Sequence, residues 1–170
     1  MFDITRHPNI VVFRGIAAFV DRPTERTAHA YDFKQAKINE DTRLYFPRDV
    51  IEPSLFTLRG MPLHALSEAE GGSPAFGATA FRRNVGCVTG ATLEGDAVVV
   101  EGFIWAHHFP EVAPAITRGD LGLCCDFIYG ANFILKDGIK TPTGAVIFTG
   151  VSILKNFLCG FDGTKIEVIK

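Results

Sequence analysis

Residues 84–105, NVGCVTGATLEGDAVVVEGFIW, hold two apolar runs separated only by Glu94, Gly95 and Asp96. Each run is too short for a helix that packs on its own and is rich in valine, isoleucine and threonine. Runs of that kind across a short Gly/Asp connection form a β-hairpin. This hairpin constrains the rest of the chain, because a two-stranded ribbon buries nothing unless further strands join it.

The remaining sequence supplies such strands. Residues 10–20 (IVVFRGIAAFV) are predicted as a first strand, bent or bulged at Gly15. Residues 42–46 and 55–58 read as extended pieces among prolines. Residues 121–135 read as one long strand or a bent strand pair, and Asp137-Gly138 is expected to turn it toward residues 145–154 (AVIFTGVSIL). Asp162-Gly163 marks a turn before a last strand over 165–169.

One helix stands out at residues 109–117, with Pro110 in its first turn, Gly119 past its end and Pro114 limiting its length. Its apolar stripe is Val112, Ala115 and Ile116. A second helix over residues 24–35 has weaker patterning. The sum is a mainly β (α+β) chain: a small β-barrel with a few short helices, whose closure hides strand edges. No repeat, linker or low-complexity tract divides it, so residues 1–170 are expected to form a single domain.

Composition narrows the function classes. Fifteen phenylalanines among 170 residues suit a β-rich core. The net charge of −2, without a basic run, gives no footprint for nucleic acid. No apolar stretch approaches the length of a membrane span, and MFDITRHPNI lacks the layout of a signal peptide. Cys87, Cys124, Cys125 and Cys159 show neither CxxC pairs nor the spacing of a disulfide scaffold, so reduced thiols in an intracellular setting are expected.

Three chemistries can be weighed on residues alone. His107, His108, Glu111 and the Cys124-Cys125 pair lack the paired spacing of zinc ligands, and adjacent histidines on a strand point to opposite faces, so no metal is expected. Gly71-Gly72, in EAEGGSPAFGA, has no following lysine or βα unit; a surface loop is expected there rather than a phosphate cradle. No cofactor is called for. Cys124 or Cys125 could serve as a nucleophile with a histidine as base, or both could be small core residues, which is the commoner use of cysteine. On a strand, only one of the two can face an open groove. Phe76, Phe81 and Phe109 are read as core residues, with a surface contact patch as the alternative.

The order of these pieces resembles the prohead (capsid maturation) proteases of tailed phages, which share a fold with the herpesvirus assemblins. The resemblance runs through Gly60-Met61-Pro62, the 84–105 hairpin, the short helix with its glutamate, ITRGDLGLCCDF and VIFTGVSILK, covering roughly residues 55–156. In that family a strand after a proline carries the base, and the nucleophilic serine lies in a pattern like S-x-[GDE]-F. Here that pattern reads Cys124-Cys125-Asp126-Phe127.

The resemblance therefore implies Cys124 at the serine position. The family's histidine lies five residues after the proline, where this chain has Ser67; its nearest histidine is His64. A three-residue shift reverses the face of a strand, so His64 is expected to reach the site only through a bulge or a different register. No acid or second histidine stands near residues 150–152 as a third member.

Two altered positions that must work as a unit point to lost chemistry. The expectation is a phage head protein with a prohead-protease-like fold, catalytically degraded, acting as a structural, cementing or assembly component. Its partner would be the major capsid protein or scaffold, its place the virion after assembly in the host cytoplasm, and homo-oligomers are conceivable. The alternative is an active maturation protease with Cys124 as nucleophile and His64 as base, since a thiol needs less base assistance than a hydroxyl. An unrelated β-barrel binding module is the third reading.

Overall fold

The computed structural model describes residues 7–26, 30–32, 37–39, 42–66, 82–129, 133–156 and 159–169. Its strands are β1 (Val11–Phe19), β2 (Ala30–Asp32), β3 (Lys37–Asn39), β4 (Arg43–Leu44), β5 (Pro62–Leu66) and β6 (Arg82–Glu94). They continue as β7 (Ala97–Ile104), β8 (Leu121–Tyr129), β9 (Phe133–Lys136), β10 (Ile139–Pro142), β11 (Val146–Lys155) and β12 (Lys165–Ile169). The helices are α1 (Arg48–Ile51), running on into a 3-10 helix at Glu52–Leu58, and α2 (Val112–Thr117).

Seven strands form one sheet in the order β12-β1-β7-β6-β5-β11-β8. The predicted hairpin is β6–β7, with Glu94 opposite Ala97 and Gly95 at φ 62, the positive angle that tight hairpin turns require. Every neighbouring pair in this sheet is antiparallel except β5–β11. The sheet curls until its last strand, β8, meets β1 and β12 on the far edge, giving a half-closed barrel. Register shifts in four strand pairs support the curl, since each extra residue adds local bend and twist.

The core fills the concave side. Phe13, Leu58, Leu63, Val85, Val88, Val98, Val100, Ile104, Leu123 and Val151 are all fully buried there. Phe46, Phe127, Phe148 and Phe161 meet in tilted and edge-on pairs, so much of the phenylalanine content becomes one aromatic cluster. Gly15 lies where β1 passes β8. A β-carbon there would stand 2.3 Å from the Lys165 carbonyl oxygen and 2.6 Å from a Leu123 methyl, so the barrel closes only because this position is bare.

Several expectations are corrected. Gly15 keeps regular pairing; the β1 bulge falls between Ile16 and Ala18. Within residues 24–35, Ala30–Asp32 pairs antiparallel with Lys37–Asn39, so a partner strand overrides weak helical patterning. Residues 55–58 belong to the 3-10 helix, whose Pro53 sits in the first turn, where a missing N–H costs nothing. Asp137-Gly138, with φ of 52 and 72, turns β9 into the short β10 of a separate sheet ordered β4-β10-β9, rather than directly into β11. Helix α2 begins at Val112, so Pro114 falls in its first turn, again without an orphaned partner. Phe109 is half-buried against the core, whereas Phe76, Phe81 and the 71–72 loop lie outside the described residues. Among the described residues no helix is long and apolar enough to cross a membrane.

Phe148, 1% exposed, and Phe56, 78% exposed, give the packing argument a clear contrast. Phe148→Ala is expected to lower unfolding free energy by about 3–5 kcal/mol, and Phe56→Ala by less than about 0.5 kcal/mol, in urea titrations. Equal losses would place the core elsewhere.

Candidate functional site

Three neighbouring strands build the site. β11 is central, with β5 parallel on one side and β8 antiparallel on the other. Two consecutive rungs cross all three. Leu63, Val151 and Cys125 form one rung, and all three are buried in the core. His64, Ser152 and Cys124 form the next, and alternation turns them to the opposite face. Asp126, two residues beyond Cys124, shares that outer face and stands opposite Gly150.

His64 lies on the face of Cys124, and the pairing of β5 with β6 shifts between Leu63 and His64, where Val85 is the extra residue. The conditions expected for His64 were a bulge in its strand or a different register; the extra residue stands on β6, and β5 itself alternates regularly through Leu63, His64 and Ala65. Ser67 lies outside the described residues.

The side chains converge on one oxygen. His64 Nδ1 lies 3.4 Å from Asp126 Oδ2, and the Ser152 hydroxyl donates to the same Oδ2 at 2.8 Å. The His64 and Asp126 side chains are each 18% exposed, and Ser152 is buried at 4%. Partial burial strengthens these contacts relative to a surface pair. Cys124 is half-buried, and its sulfur lies 3.9 Å from the Cys125 carbonyl oxygen. His64 and Cys124 are separated by one intervening strand, so their α-carbons stand roughly 10 Å apart.

Chemically, this is the composition of a nucleophile–base–acid set. A carboxylate beside Nδ1 can orient the ring and leave Nε2 to exchange a proton. A third member was expected near residues 150–152, on β11; the carboxylate beside His64 is Asp126, on β8. Its signal was legible: in Cys124-Cys125-Asp126, the first and third residues of a strand share a face.

The other cysteines are packing residues or close to it. Burial pushes the Cys125 thiol well above its usual range, with the neighbouring Cys124 and Asp126 adding to the effect. Burial also raises Cys159, partly offset by a hydrogen bond with Thr164 and by Arg26, and raises Cys87. His107 and His108 lie in the turn after β7 rather than on a strand, with their rings 5.6 Å apart. Among the described residues no three metal-ligating side chains cluster.

Two outcomes follow. With iodoacetamide at neutral pH, Cys124 is expected to be labelled before Cys125 and Cys159, as read by mass spectrometry of peptides; uniform labelling would contradict the burial pattern. Unfolded thiols ionise from about pH 8.5, whereas folded Cys125 holds its proton to higher pH. The folded state then binds more protons, so this stability is fully present below the unfolded pKa and is lost as pH rises above it. Urea midpoints should fall between pH 7 and 9.5, and fall less in Cys125→Ala. The chain matches no protein-family model and no curated protein sequence.

Proposed function

We propose that this chain is a thiol endopeptidase of the capsid-maturation kind, acting on a head protein of a tailed phage, with Cys124 as nucleophile, His64 as base and Asp126 as the acid that orients His64. The observation that carries this reading is the His64 Nδ1–Asp126 Oδ2 contact at 3.4 Å on the face that also holds Cys124. The phage setting rests on the family resemblance of residues 55–156.

In this mechanism the Cys124 sulfur attacks the carbonyl carbon of the scissile peptide, and its proton passes to His64 Nε2. Asp126 stabilises the imidazolium so formed. Collapse of the tetrahedral intermediate breaks the C–N bond, and His64 returns the proton to the departing amine. Water, deprotonated by His64, then hydrolyses the thioester and regenerates the thiol.

A second reading keeps the fold without the chemistry, as a cementing or assembly component bound to the major capsid protein or scaffold. One observation favours it: the shorter bond to Asp126 Oδ2 comes from Ser152, at 2.8 Å, so the carboxylate is satisfied within a polar network without acting on a base.

Incubation with the matching capsid or scaffold protein separates the two. The protease reading expects cleavage at one or a few bonds, reduced by three or more orders of magnitude in Cys124→Ala and in His64→Ala, and by a smaller factor in Asp126→Asn. A chain that cleaves nothing and persists at full length and near-stoichiometric amounts in mature heads would establish the second reading instead.

A further inference from the structure

Gly150 faces Asp126 across the β11–β8 pair, yet the carboxylate's histidine partner comes from β5, on the other side of β11. Two strand spacings separate β5 from β8, roughly 10 Å. Ring and carboxylate can therefore meet only above β11. The position beneath them is Gly150. A β-carbon there would stand 3.1 Å from His64 Cε1 and 3.3 Å from His64 Nδ1, with the Pro62 carbonyl oxygen at 3.2 Å.

Besides the His64 ring, only the Pro62 carbonyl oxygen crowds this position; the backbone angle itself does not call for glycine. Its φ lies outside the left-handed region, so any residue could adopt it. Glycine within a strand weakens it through entropy and lost packing. Gly90, on β6, shows the contrast: a β-carbon there meets nothing within 4 Å.

We propose that Gly150 is a positioning residue, whose missing side chain is the slot through which the His64 imidazole crosses β11 to reach Asp126. The inference rests on the His64–Asp126–Cys124 reading for its effect on catalysis, but the slot itself is a matter of geometry. A methyl at position 150 presses on the ring, which must give by a few tenths of an ångström, and the contact to Oδ2 is already 3.4 Å long. Asp126 then keeps its Ser152 bond, and His64 loses the carboxylate beside its Nδ1.

The test compares Gly150→Ala with Gly90→Ala in the full chain. In the wild type, NMR should show a strong cross-relaxation signal between the His64 Hε1 proton and the Gly150 α-protons, and none with Gly90. In Gly150→Ala the urea midpoint should stay near that of the wild type. The His64 ring resonances should move to those seen in Asp126→Asn, and cleavage of the head-protein substrate should fall at least tenfold. Gly90→Ala should leave the ring signals and the cleavage rate unchanged. Wild-type ring resonances and cleavage in Gly150→Ala would overturn the proposal, as would the absence of the Hε1–Gly150 signal in the wild type. A wild type that cleaves nothing, but shows the signal and its loss, would overturn the protease reading while leaving the slot in place.

Discussion

The parallel pairing of β5 with β11 is the contact on which the rest of this structure depends. It is the one parallel pair of the seven-stranded sheet, and it joins the half of the barrel begun by the β6–β7 hairpin to the half built by β8 and β11. Because side chains alternate along a strand, the Val151–Leu63 register settles two matters together. It sends Leu63, Val151 and Cys125 into the core, and it sends His64, Ser152 and Cys124 to the opposite face. The core cannot be satisfied in the other register, since a one-residue slip would bury a histidine and expose a leucine. Packing energy of the hydrophobic rung thus holds the polar rung in place, at no separate cost to the polar groups.

Much of this architecture was legible in the amino-acid order. The β6–β7 hairpin, β1, β11, β12 and a short helix near Val112 follow from apolar runs and their Gly/Asp punctuation. Elements that depend on distant partners were not. Ala30–Asp32 is a strand because Lys37–Asn39 lies beside it, and no local pattern announces that. The 3-10 helix over Glu52–Leu58 buries Leu55 and Leu58, which an extended reading among prolines could not anticipate.

At the site, the same division holds. The i, i+2 spacing of Cys124 and Asp126 needs only strand alternation. The arrival of His64 does not follow locally, because it comes from β5, on the far side of β11 from Asp126, and crosses above a bare Gly150 on β11. A crossing of that kind and an absent side chain leave almost no trace in a single sequence. They act by what they permit rather than by any pattern of their own.

The wide separation of β5 and β11 along the chain has a consequence in time. His64 and Asp126 are 62 residues apart, and the strand that seats them both comes later still. Closing so long a loop is the slow part of folding a β-sheet protein, because entropy is lost before the pairing repays it. During synthesis, β5 must wait without its partner until β11 has left the ribosome. Cys124 therefore emerges into a half-built sheet as an ordinary thiol. Asp126 travels with it on the same strand, but His64 and Ser152 join that face only when β11 pairs with both β8 and β5.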